Sequence, residues 1–266
     1  MALSPMVMGI VNVTPDSFFP ASRTAQTNEA VARGEEFFSL GCDVVDVGGE
    51  STRPGAESVD ETEEMARVLD VVAALSPLGP VSIDTQKESV ARAAVARGAS
   101  IINDVSYTLL DVAAELGVGY VVMHRQGDSS TMQLAPHYDD VVGEVLAFLR
   151  AGAQRASAAG ITTFWLDPGI GFGKTVEHNL ALLAATDRFV ALAQEFNAGV
   201  LIGTSRKRFL EHLGKETLSV DERLEGSIAT AGWAMLEGAS MVRVHDVAVA
   251  VQLRELLVRP TEEVVA

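Results

Sequence analysis

Short apolar, β-branched runs alternate with longer stretches of helical spacing from one end of the chain to the other, and this alternation limits the fold more than any other feature. Candidate strands fall at residues 6–13, 44–47, 80–83, 100–103, 120–123, 163–166, 199–202 and 241–244. Between them, Ala30, Val31, Phe37, Phe38 and Gly41, and later Leu224, Ile228, Ala231 and Met235, recur with helical spacing. Asp60, three residues before Glu63, and Asp246, ahead of residues 247–257, mark helix starts. Short continuous apolar strands between helices predict a parallel sheet covered on both faces. Eight such units predict an α/β chain folded as one (β/α)8 TIM barrel over residues 1–258, with a C-terminal tail at 259–266. A doubly wound open sheet shares the local pattern and differs in strand count.

Composition closes off other classes. The 266 residues are 48% apolar, enough for a sizeable core. The net charge of −16 argues against a nucleic-acid surface, which needs a basic stripe. Cys42 is the single cysteine, so the chain cannot be a disulfide scaffold. No apolar run reaches the ~20 residues of a membrane helix, and the first residues lack the basic region of a signal peptide. The expectation is a cytoplasmic protein without a membrane partner.

The polar residues fall in one kind of place. Nearly every candidate strand ends in one: Asn12; Asp46 and Glu50; Asp84; Asn103 and Asp104; His124; Asp167; Ser205 to Lys207; and Arg243 with His245. In a (β/α)8 barrel these ends converge at one mouth, where active sites lie. A solvated loop explains any one such residue. Eight successive strands are better explained by a shared site. Two connections, 14–28 and 48–60, are longer than the fold needs and are candidate lids.

Individual motifs sharpen this. Ser205-Arg206-Lys207-Arg208 concentrates cations in an acidic chain, and Arg243 and His245 share one side of the last strand. Loops after the seventh and eighth strands are frequent phosphate sites, so these residues predict an anionic ligand. The competing reading is an ion pair with neighbours such as Asp246. Gly173-Lys174-Thr175 suggests a P-loop, but the required glycine position holds Pro168, so that reading fails. His124 is either a general base or a hydrogen-bonded wall residue. No zinc motif is present, and Cys42 and Ser205 lack the context of a nucleophile.

Seven motifs occur in order: Asn12-Val13-Thr14-Pro15-Asp16-Ser17-Phe18, Gly48-Gly49-Glu50-Ser51-Thr52-Arg53-Pro54-Gly55, Ser82-Ile83-Asp84-Thr85, Asn103-Asp104-Val105-Ser106, Asp167-Pro168-Gly169-Ile170-Gly171-Phe172-Gly173-Lys174, Ser205-Arg206-Lys207, and Arg243-Val244-His245-Asp246. Together they resemble the dihydropteroate synthase family of folate biosynthesis, the sulfonamide targets, over practically the whole chain. The resemblance implies condensation of 4-aminobenzoate with 6-hydroxymethyl-7,8-dihydropterin diphosphate, with Mg²⁺ help, in a homodimer. It implies that Asn12 is the metal ligand and that Asp84, Asn103 and Asp167 grip the pterin. It places Phe172, Lys207, Arg243, Val244 and His245 around the substrates, with Arg243 and His245 on the diphosphate, and Thr52, Arg53 and Pro54 at the aminobenzoate. Asp84, Lys207, Arg243 and His245 are the implied catalytic set.

The chain departs from the family pattern where relatives continue with Ser-Asp-Gly-Gly: it reads Phe19-Pro20-Ala21-Ser22. One loop carboxylate is thereby missing, Asp16 is left alone, and proline stiffens the segment. Arg23 offers a compensating charge, and Arg208 stands where many relatives have serine. Two other readings stay open here: a pterin-binding paralogue without synthase activity, and a methyltetrahydrofolate-binding methyltransferase barrel.

Overall fold

The apolar runs form eight parallel strands that close on themselves in chain order. The structure is a computed structural model and describes residues 4–13, 20–50, 58–127, 131–212 and 217–258. The strands are β1 Met6–Asn12, β2 Val44–Gly48, β3 Val81–Asp84, β4 Ile101–Asp104, β5 Gly119–Met123, β6 Phe164–Asp167, β7 Gly199–Ile202 and β8 Met241–Val244. Met6 opposite Met241 joins the first strand to the last and closes the ring. The closed TIM barrel replaces the open-sheet alternative. Around it lie α1 Pro20–Ser39, α2 Glu61–Leu75, α3 Glu88–Ala96, α4 Leu110–Leu116, α5 Val141–Ala158, α6 Val176–Ala184, α7 Thr186–Glu195, α8 Leu224–Leu236 and α9 Val247–Val258. None of the described helices is long and apolar enough to cross a membrane.

Local signals account for the phasing. The Asp60 side chain accepts a hydrogen bond from the Glu63 N–H and caps α2. The first long connection is shorter than expected, because α1 begins at Pro20 and residues 20–28 are helical. A proline suits the first helical position, where its missing N–H would have no partner anyway. Residues 14–19 and 51–57, which hold part of each expected lid, and the expected tail 259–266 lie outside the described residues.

Strand alternation divides the core in two. Val7, Val11, Val45, Val47, Ile83, Ile102 and Tyr120 point outward and pack beneath the helices. Met8, Val44, Ile101, Val121, Trp165, Leu201 and Met241 point inward and fill the barrel as a separate apolar plug. Two residues further along four of these strands the inward position becomes polar: Val44 gives way to Asp46, Ile101 to Asn103, Trp165 to Asp167 and Met241 to Arg243. The same periodicity that plugs the lower barrel therefore floors its mouth with charge.

The opposite end is tied off separately. Asp43 Oδ2 accepts from the Val7 N–H at 2.7 Å and from Arg254 Nη1 of α9 at 2.5 Å. Arg254 also donates to the Gly41 carbonyl at 3.2 Å. The last helix thus returns to the point where the first strand starts. Cys42 lies buried at this end, its Sγ 3.1 Å from the Val7 carbonyl and 3.0 Å from that of Val44.

Candidate active site at the mouth of the barrel

Arg243 is the hub of the mouth. Its Nε donates to Asp46 Oδ2 at 2.6 Å and its Nη2 to Asp84 Oδ2 at 2.7 Å. Asn103 Nδ2 donates to the same Asp46 oxygen at 3.0 Å. One guanidinium therefore joins strands β2, β3 and β8, and β4 attaches through the amide. Burial pushes the Asp84 pKa up to about 7, against the pull of Arg243 and with the help of the Asp46 charge. Among the described residues, Asp84 Oδ1, Asp46 Oδ1 and Ser82 Oγ are buried without a hydrogen-bond partner. Native interiors leave few such atoms, and these three stand on the neighbouring strands β2 and β3, with Glu64 Oε1 a fourth on α2.

The loop after β6 forms one wall. Asp167 Oδ1 accepts from the Gly169 N–H at 2.7 Å, and burial raises its pKa. Gly169 has φ of +68°, and a Cβ there would lie 1.8 Å from the His124 carbonyl oxygen. Only glycine permits that approach. Lys207 Nζ donates to the Ile170 carbonyl at 2.6 Å and lies 4.6 Å from the centre of the Phe172 ring. Burial lowers its pKa to about 8, with Asp167 opposing the fall. Lys207, Phe172 and Asp167 thus meet on one side of the mouth.

Lys174 lies behind this wall. Its Nζ donates to the carbonyls of Gly169 at 2.9 Å and Phe172 at 3.0 Å, and it is 3.0 Å from His124 Nδ1. It fastens the glycine loop from inside, and burial pulls its pKa down to about 7. The buried Asn179 of α6 holds the same loop, accepting from the Gly171 N–H at 2.7 Å.

The loops after β7 and β8 are stapled together. Ser205 Oγ accepts from the His245 backbone N–H at 3.1 Å and lies 3.0 Å from His245 Nδ1. Arg206 holds Asp246 through two nitrogens, at 3.0 and 2.7 Å, and reaches Asp221 at 3.3 Å. Arg206 has the left-handed φ of +55°.

Several expectations are corrected by this geometry. The Ser205-Arg206-Lys207-Arg208 cluster does not converge on one ligand: Lys207 alone is built into the wall, Arg206 is paired with Asp246, and Arg208 is 75% exposed. For Arg206 the competing ion-pair reading with Asp246 holds. Asp104 points outward, where it accepts from the N–H groups of Thr108 and Leu109 and from the Tyr120 hydroxyl. His124 also faces the helices, against Phe148 and Tyr138, and burial lowers its pKa to about 3. It is a wall residue and not a base in the mouth. The Val244 side chain belongs to the helix-facing core and does not line the mouth. Glu50 pairs with Lys87, which also pairs with the buried Glu64. Thr52, Arg53 and Pro54 lie outside the described residues.

Four contributors have no role in the set that the sequence motifs imply: Asp46 and Ser82 on the barrel floor, and Lys174 and Asn179 behind the glycine loop. Asp46 and Ser82 were signalled by phase, since each continues the inward-facing series of its strand. Lys174 and Asn179 carried no periodic signal.

The family model for pterin binding enzymes matches residues 8–245. The dihydropteroate synthase of Escherichia coli strain K12 is 43% identical over 251 residues, covering 91% of this chain and 87% of that protein. The chain belongs to the dihydropteroate synthase family of pterin-binding enzymes. Solved members share its form. The Xanthomonas albilineans enzyme with 4-aminobenzoic acid superposes with a TM-score of 0.86 at 43% identity, covering 97% of this chain and 95% of that one. The Thermus thermophilus enzyme in complex with 6HMPPP gives 0.80 at 38% identity, covering 97% and 94%.

A divalent cation is compatible with the residues present. Asn12 ends β1 in the inward phase with its side chain exposed at the rim. Among the described residues no group of three or more His, Cys, Asp or Glu side chains forms a metal cage. One amide oxygen with open positions suits Mg²⁺, which commonly keeps waters and is shared with substrate phosphates.

Proposed function

We propose that this member of the family joins 4-aminobenzoate to the methylene carbon of 6-hydroxymethyl-7,8-dihydropterin diphosphate, releasing diphosphate and forming dihydropteroate. The observation that carries the reading is the buried group of Asp84, Asp46 and Arg243 with its unpartnered carboxylate oxygens. A pterin presents amino and ring N–H donors that match such acceptors. The names of the relatives support it, as do the 4-aminobenzoic acid and 6HMPPP bound to two of them.

Asp84, Asn103 and Asp167 grip the pterin, and Lys207 contacts its carbonyl edge. Phe172, under the Lys207 ammonium, supplies an apolar wall. As the C–O bond breaks, its electron pair leaves with the diphosphate and cationic character grows on the pterin methylene. The Asp84 carboxylate stabilises that charge, and Arg243 and His245 stabilise the departing anion. The arylamine lone pair forms the new C–N bond and the amine then loses a proton. No protein nucleophile takes part. Mg²⁺ held at Asn12 supplies neutralising charge to the diphosphate when bound. Thr52, Arg53 and Pro54 complete the aminobenzoate side, and the protein works as a cytoplasmic homodimer.

The test is diphosphate release by the purified protein, with controls lacking aminobenzoate or Mg²⁺. Release that needs both, with an equal amount of dihydropteroate, is the expected result. Tight pterin binding without release would instead make the chain a silent paralogue, with Pro20 the first residue to exchange for Asp.

A further inference from the structure

We propose that Asp46 is a positioning residue that fixes the sense of the Asn103 amide and the plane of the Arg243 guanidinium before substrate arrives. The inference rests on the pterin reading above and deepens it by one residue.

Arg243 Nε can only donate, and it lies 2.6 Å from Asp46 Oδ2, so that oxygen is an acceptor. The Asn103 atom 3.0 Å from the same oxygen must then be a donor, which makes it the amide nitrogen. With its nitrogen committed, Asn103 turns its carbonyl oxygen the other way, toward the space a ligand would fill. An amide free to flip would offer a pterin donor either oxygen or nitrogen, and half of its orientations would repel.

The same carboxylate settles Arg243. Asp46 takes Nε and Asp84 takes Nη2, so the planar guanidinium is held at two corners and, among the described residues, Nη1 is left for a ligand. Asp46 is fully buried, and its remaining oxygen and the neighbouring Ser82 hydroxyl have no partner among the described residues. Such a carboxylate is costly to bury, and its place is explained by the two groups it aims.

Titration calorimetry with 6-hydroxymethylpterin tests this. Asp46→Ala, which removes the acceptor, should weaken pterin binding about tenfold to a hundredfold and lower kcat/KM for the pterin diphosphate, with KM for 4-aminobenzoate unchanged. Asp46→Asn keeps an oxygen where Oδ2 stands and should bind within about threefold of the parent. Wild-type affinity in the alanine variant would overturn the proposal. So would an asparagine variant as weak as the alanine one, because the charge rather than the acceptor would then be at work. The parent chain gives a readout that needs no variant to fold: the Asn103 side-chain amide protons should resist solvent exchange with and without pterin. Rapid exchange would refute the fixed orientation. Failure of the parent to bind pterin would count against the proposed function itself, and the amide protons would still decide the orientation.

Discussion

Asp84 carries two opposed demands. It must be anionic to stabilise a cation, yet burial holds its pKa near 7 against the attraction of Arg243. Substitution Asp84→Asn should cut kcat by about a hundredfold or more with the fold retained, and steady-state kinetics beside a thermal melt will check it. The same residue shapes stability in the absence of substrate. The folded chain keeps the Asp84 proton up to about pH 7, whereas the unfolded chain loses it near ~4. Between those values the folded state holds the extra proton, so stability falls as pH rises, by at most about 1.4 kcal/mol per pH unit. Denaturant midpoints measured across that range should fall less in Asp84→Asn than in the parent. An equal fall in both would mean that another group sets the slope.

At the level of elements, the loop after β6 is the most constrained part of the site. Asp167, Lys174 and Asn179 each hold it through its backbone, and Gly169 passes against the His124 carbonyl. Gly169→Ala must move one strand end against another. The positive φ alone should cost more than ~1 kcal/mol, and pterin affinity should fall with stability. An alanine variant that binds pterin normally would show that the wall is softer than it looks. The strands themselves were legible because their apolar phase continues into their polar ends: Asp46, Asp84, Asn103, Asp167 and Arg243 inherit the inward direction of Val44, Ser82, Ile101, Trp165 and Met241. By the same rule Asp104 and His124, one residue out of phase, belong outside, and only grouping by position rather than by phase places them in the mouth. Arg206 and Lys207 were not separable in this way, since strand alternation stops at Ile202 and the left-handed turn at Arg206 leaves no periodic trace. The start of α1 was hidden for a different reason: Ser22, Arg23, Thr24, Gln26 and Thr27 give its first turns no apolar stripe.

For the whole molecule, helices α8 and α9 carry several exposed apolar side chains. On α8, Trp233 is 48% and Leu236 68% exposed, three residues apart and hence on one face, and Leu256 of α9 is 70% exposed. If the proposed homodimer forms through these helices, light scattering should find a dimer in the parent and a shift toward monomer in Trp233→Glu with Leu236→Glu. A dimer unaffected by both changes would place the interface elsewhere. The ring closure has a further consequence. Arg254 brings the end of α9 to Asp43, beside the start of β1, at the end of the barrel away from the substrates. The order of the units around the ring is therefore fixed by their pairing and not by which unit is synthesised first. Joining residue 258 to residue 4 by a short linker and cutting instead at Gly160, an exposed turn between α5 and β6, should give a circular permutant with the same kcat/KM. The chemistry faces one pole of the barrel and the covalent numbering of the chain is settled at the other, so evolution can rearrange or extend the ends without touching the catalyst.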